Sequence, residues 1–150
     1  MKLRAALLVL STILLPLTAC TTMKPEQIAE ARQSMLGSWT LQTASELPAI
    51  PNNILLTLRP DTAQDEKKLG VNGFSGVNHF VGSATVKWPQ QQVVFGALAT
   101  TRMMGPEPRM QFEQAFLKQM GEVGSFSLQD GKLELKTLSG STLIFLRGAQ

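Results

Sequence analysis

Few side chains in this sequence are suited to covalent or metal chemistry. There is one cysteine, Cys20, one histidine, His79, and no tyrosine. A lone cysteine excludes an internal disulfide framework and a multi-cysteine zinc site. A lone histidine excludes two-histidine metal motifs and leaves Ser-His-Asp chemistry a single base. His79 has no evident acid or nucleophile beside it in sequence, so a surface or rim position is the simpler reading and general base the sharper one. The run Val71–Gly82 carries Gly73, Gly76 and Gly82. A phosphate-cradling loop would need a helix start or a lysine–serine pair after the glycines. A strand pattern follows instead, so bulges or close backbone approach explain them better. Asn78 suits left-handed backbone and turn capping. Arg102 has a planar fork that can lock a loop by binding backbone carbonyls, or else contact a ligand carboxylate. Met103, Met104, Met110 and Met120 gather around one helix and its entry. Core filling is the default for them, and a lipid- or peptide-accepting groove is the alternative.

The first twenty residues read as an address. Lys2 and Arg4 precede Ala5–Leu17, which is apolar apart from Ser11, Thr12 and Pro16. That run of about thirteen residues is shorter than the roughly twenty needed to span a bilayer, and the pattern is that of a secretory signal. Leu17-Thr18-Ala19-Cys20 closes it. This tetrad resembles the lipobox of bacterial lipoproteins. The resemblance implies cleavage before Cys20 and acylation of its thiol, giving a membrane anchor of several acyl chains. Thr21 follows rather than aspartate, which in the enteric rule implies the outer membrane, on its periplasmic face. Such processing changes the charge balance. The chain carries 14 basic and 11 acidic residues, a net +3, with a pI near 9.3. Loss of residues 1–19 removes Lys2 and Arg4, leaving twelve basic residues against eleven acidic, a net +1. No long basic run remains, so nucleic acid is not an expected partner.

The elements that must position these groups follow from periodicity. Pro25 opens a short helix to Gln33, with Ile28, Ala31 and Met35 as a thin apolar stripe. From Leu36 the period is two: Trp39, Leu41 and Thr43 alternate with Ser38, Thr40 and Gln42. Ile54, Leu56 and Leu58 share one face of a second strand, and Leu69–Gly73 is a third. Phe80, Gly82, Ala84, Val86 and Trp88 share a face before Pro89 stops the strand, and Gln92–Phe95 is another. Glu107 to about Gly121 is the strongest helix, with Phe112, Phe116 and Met120 four apart. Gly121 and Gly124 end it. Phe126–Gln129, Leu133–Lys136 and Thr142–Arg147 are the last strands, with Asp130-Gly131 a tight-turn signal. Trp39 and Trp88 are placed to close barrel ends. The expected fold is mainly β: a small curled antiparallel sheet or open barrel of about seven or eight strands with one packed helix. Residues 1–19 are the signal peptide, 20–35 the lipidated tether and short helix, and 36–150 the domain.

Two motifs carry a resemblance. Gly73-Phe74-Ser75-Gly76-Val77-Asn78-His79-Phe80-Val81-Gly82 is similar to the G-x-x-G-C-N-x-F-x-G signature of the META domain, the HslJ-like family. Ala99-Thr100-Thr101-Arg102-Met103-Met104, a proline pair and a helix with Glu113, Ala115 and Phe116 match its second half. Gly73, Gly76, Asn78, Phe80, Gly82, Thr101, Arg102 and Met103 are the motif residues, read as structural with a possible binding role. Relatives often carry a cysteine where this chain has Val77 and Gly105, which implies a stapling disulfide there, or else a redox role, that this member lacks. The resemblance implies a non-enzymatic, monomeric, periplasmic lipoprotein with a role in envelope stress tolerance or in secretion and motility. It would need no metal and no cofactor. Its partners would be the membrane, through the acyl chains, and an envelope protein or lipid. The alternative is a pilotin-like carrier or chaperone using a groove between sheet and helix. A hydrolase built on His79 and an inhibitor acting through a surface loop are further alternatives, the latter on fold analogy alone.

Overall fold

The computed structural model describes residues 23–61 and 65–148; residues 1–19, read above as a signal peptide, and Cys20 lie outside the described residues. Two helices are present, α1 (Pro25–Met35) and α2 (Glu107–Gly121). The strands are β1 (Gly37–Ala44), β2 (Leu55–Pro60), β3 (Lys68–Phe74), β4 (His79–Lys87) and β5 (Gln92–Phe95). After them come β6 (Ala99–Thr100), β7 (Val123–Gln129), β8 (Lys132–Thr137) and β9 (Thr142–Arg147). Among the described residues these nine strands form one sheet, in the order β3-β2-β1-β9-β8-β7-β5-β4-β6. A further β3–β4 pairing closes eight of them into an antiparallel barrel, leaving β6 as an extra strand on β4. The β5–β7 seam is the thinnest, with Gln92 opposite Ser125 and the Phe126 N–H donating to the Gln91 carbonyl at 2.9 Å. Closure removes the exposed sheet edges that an open sheet of this length would present.

Alternation explains why these segments form a barrel wall. Trp39 and Leu41 on β1, and Leu56 and Leu58 on β2, point inward, with polar residues between them. Phe80, Ala84 and Val86 do the same on β4. Thr43 departs from the expected pattern. A register shift between Leu41 and Thr43 turns it outward and leaves it exposed, because a bulge inserts one residue and flips the period-two phase. Gly124 is also not a helix terminator. The helix ends at Gly121, and Gly124 lies within β7, again at a register shift. The β7–β8 turn is as expected: Asp130 and Gly131 both have positive φ, 49° and 73°, as a type I′ hairpin turn demands.

Each mouth of the barrel is covered by a helix. The α1 mouth is formed by the start of β1, the 3-10 turn Trp88–Gln90 and the β7–β8 turn. Helix α1 runs two residues further than the sequence suggests and ends on Met35, which is fully buried. Both tryptophans lie at this mouth, Trp39 against Met35 and Arg147 and Trp88 in the 3-10 turn. The other mouth carries α2 and the β1–β2, β3–β4 and β8–β9 loops, tied by Gln119 Nε2 donating to the Ser45 carbonyl and by the Leu138 N–H donating to the Glu122 carbonyl. Phe112 and Phe116 stack at 5.9 Å, and Phe116 meets Phe80 at 6.1 Å. Trp39, Phe80, Phe112, Phe116 and Phe145 are all buried in one continuous core. At about 1.5–3 kcal/mol for each large apolar side chain removed from water, this core is the principal stabilising contribution.

Candidate functional site

The two sequence motifs meet at the α2 mouth, on a group that neither motif advertises. Glu113 sits on the buried face of α2 between Phe112 and Phe116 and is 6% exposed. Its Oε2 accepts from the Ser75 hydroxyl at 2.6 Å, the Asn78 N–H at 2.7 Å and the Val77 N–H at 3.3 Å. Its Oε1 accepts from Asn78 Nδ2 at 2.7 Å. None of these four donors is a cation. The β3–β4 loop thus wraps a carboxylate with backbone and side-chain dipoles, in the manner of an anion nest. Burial alone would raise the Glu113 pKa. The hydrogen bonds from Ser75, from the Asn78 side chain and from the Asn78 and Val77 backbone outweigh it, and the carboxyl is held below its ordinary value. Charge-assisted hydrogen bonds are the strong ones, and several on one carboxylate favour its ionised form.

Asn78 passes the connection on. It is 3% exposed, and its side chain uses its full hydrogen-bonding capacity. Oδ1 accepts from the Thr101 hydroxyl at 2.8 Å and the Met103 N–H at 2.7 Å; Nδ2 donates to the Met103 carbonyl at 3.2 Å as well as to Glu113. Thr101 N–H also donates to the His79 carbonyl at 3.0 Å, and Thr101 Oγ1 accepts from the His79 N–H at 3.2 Å. The chain Glu113–Asn78–Thr101–Met103 therefore fastens the helix, the β3–β4 loop and the 101–104 segment to one another.

The other motif residues support this geometry. At Gly73 a Cβ would lie 2.0 Å from the Leu55 carbonyl oxygen and 2.4 Å from the Phe80 ring, so only glycine fits. Gly76 has φ of +111° and packs on Ile54 and Phe112, which lets the loop turn back over the helix. Gly82 lies against the Ala97 backbone, and Phe80 is core. Arg102 does not lock the loop: it is exposed and makes no hydrogen bond among the described residues. The carbonyl-binding role expected of it belongs to Asn78. Met103 and Met104 are not core either, being 52% and 95% exposed, whereas Met120 is fully buried. His79 lies on the rim, exposed, with its ring 5.1 Å from Phe74. A hollow of about 410 Å³ beside it is lined by Asn72, Gly73, Phe80, Val81 and Thr100 among others. A second, of about 500 Å³, lies at the α1 mouth, away from the motifs.

The expected stapling positions are neighbours. A Cβ at Gly105 would lie 3.4 Å from Val77 Cβ, close to the roughly 3.5–4.5 Å of a disulfide. In this chain the valine side chain fills that space, and the Glu113–Asn78 network does the fastening. The signal for Glu113 in the sequence was its position: a carboxylate set between two phenylalanines on an apolar helix face.

Glu113 accepts three hydrogen bonds at Oε2 and one at Oε1, and its pKa is lowered, so the arrangement clamps the loop to the helix. Fold and clamp together define a closed eight-stranded antiparallel barrel with a helix over each mouth. The META domain family model matches residues 33–150, and the chain belongs to that family. A solved structure of a protein from Burkholderia xenovorans is similar at 30% identity, covering 81% of this chain and 88% of that one, with a TM-score of 0.59. A DUF4847 family protein from Bacteroides vulgatus shares the fold at 9% identity, covering 77% and 95%, with a TM-score of 0.54. No match was found among curated proteins.

Proposed function

We propose that this META-domain chain is a non-enzymatic lipoprotein. Acyl chains on Cys20 hold it in the outer membrane with the barrel in the periplasm, where it serves envelope stress tolerance, secretion or motility. The observation that carries this reading is the lone cysteine at the end of Leu17-Thr18-Ala19-Cys20, after a charged start and a short apolar run. A barrel whose interior is filled with side chains, and whose buried carboxylate is spent on hydrogen bonds, suits a scaffold better than a reaction chamber. The carrier alternative draws less support, because Phe112, Phe116 and Met120, the apolar face of α2, are already buried in the protein's own core.

The test is palmitate labelling with membrane fractionation. Label on the full chain should vanish with Cys20→Ser, and the protein should sediment with outer membranes. Thr21→Asp should move it to the inner membrane. Label that persists in Cys20→Ser would sink the proposal.

A further inference from the structure

The segment Thr101–Met104 combines two properties that rarely coincide. It is held by five hydrogen bonds: three through its backbone, from the Thr101 N–H to the His79 carbonyl and between both polar backbone groups of Met103 and Asn78, and two through the Thr101 hydroxyl, which accepts from the His79 N–H and donates to Asn78. Its side chains are nevertheless given to solvent. Met104 is 95% exposed, Met103 52%, and Arg102 stands exposed between Thr101 and Met103. An exposed methionine on a mobile loop is unremarkable. Two on a clamped loop present apolar surface in a fixed shape, and a fixed shape lowers the ordering cost of binding. Methionine is also the apolar side chain best able to fit a partner of imperfect shape.

The geometry points to a docking loop: we propose that Arg102, Met103 and Met104 seat in an apolar slot on a protein partner whose rim carries a carboxylate. The charge at the loop's tip is the Arg102 guanidinium, which makes no hydrogen bond or ion pair among the described residues, and its planar fork matches a carboxylate. One cation is too few to hold nucleic acid through its phosphates. A bilayer is disfavoured by position. On the Cys20 anchorage proposed above, Thr21–Lys24 can reach at most about 15 Å, so the α1 mouth stands next to the membrane. The loop belongs to the α2 mouth, at the other end of the barrel. The choice of protein over lipid rests on that reading.

The test uses the full-length chain in its own envelope, with a photo-crosslinking residue at position 104 or, as a control, at Val94, an exposed barrel-wall position. A discrete protein adduct should form from 104 and not from 94. Arg102→Glu should reduce it about tenfold while leaving the far-UV spectrum and melting curve unchanged. The adduct's identity is then checked by charge exchange. Replacing a carboxylate at the crosslinked site of the partner with lysine should restore binding to the Arg102→Glu protein. No adduct from 104, equal adducts from both positions, an adduct with phospholipid or with a second copy of this chain, or an adduct indifferent to Arg102→Glu would each overturn the proposal. Palmitate labelling is read in the same cells. Lost docking with intact labelling overturns the docking loop, and lost labelling with an intact protein adduct overturns the anchorage alone.

Discussion

The two mouths of the barrel are closed by opposite charge logic. At the α2 mouth a helix offers an anion, Glu113, and the loop supplies N–H and O–H donors. At the α1 mouth the helix offers carbonyls, and the barrel supplies the cation. Arg147 on β9 donates through Nη1 to the Leu36 carbonyl at 3.0 Å and through Nη2 to the Ser34 carbonyl. Its guanidinium lies 4.4 Å over the Trp39 ring, and Trp39 Nε1 donates to the Met35 carbonyl at 2.9 Å. A cation at a helix C-terminus satisfies orphan carbonyls and complements the dipole. The α1 lid is thus built on a guanidinium, and the α2 lid on a carboxylate whose pKa is lowered by its hydrogen bonds. Equal closure does not mean equal sensitivity.

The largest expected effect is at the α2 lid. Glu113→Ala should cost roughly 3–4 kcal/mol, because it leaves the Val77 and Asn78 donors buried without a partner. Urea denaturation would show it, and a loss under about 1 kcal/mol would break the comparison. Next is a replacement of the polar clamp by a covalent one. The Val77→Cys/Gly105→Cys pair should oxidise without backbone movement and stabilise by about 2–4 kcal/mol, read as a rise in melting temperature that reductant abolishes. A pair that stays reduced would mean the two positions do not face each other as described.

The two lids should also part on pH. The folded Glu113 pKa lies below its ordinary value of 4.5. Its contribution is therefore complete above the unfolded value and is lost as pH falls through the folded one. Stability should drop in acid, from about pH 4.5 downward, and Glu113→Gln should flatten that slope by the share owed to this group. Arg147→Ala should cost a smaller amount, about 1–2 kcal/mol, and leave the acid slope unchanged. An acid slope that Arg147→Ala removes and Glu113→Gln keeps would reverse the assignment. Smallest of all, Met104→Ala should shift stability by less than about 0.5 kcal/mol, since the side chain touches little of its own protein.

Much of the barrel was legible in the chain. The inward faces of β2 and β4 follow from strict alternation at Ile54–Leu58 and Phe80–Val86, and the β7–β8 turn from Asp130-Gly131. The phase slips at Gln42 and Gly124 were not, because a bulge leaves the local pattern plausible on both sides of it. Nor was β6, whose two residues are too few to show a period. The motif residues were visible as types, but their roles were redistributed. Arg102 looked like the lock and is an exposed tip. Asn78 looked like a turn former and is the joint between two loops. Met103 and Met104 looked like core and face the solvent.

Periodicity and turn chemistry, which act between near neighbours along the chain, settled the longer strands apart from their bulges, α2 and the type I′ turn. The proposed N-terminal address rests on composition and order alone. Contacts across long separations settled the rest. Glu113 meets Ser75 across 38 residues, and Arg147 meets Leu36 across 111. A sequence shows that a carboxylate lies on an apolar helix face. Only closure of the barrel shows which donors surround it, because they come from a distant loop, and two of the four are backbone N–H groups that every residue but proline carries and that no side-chain pattern can advertise.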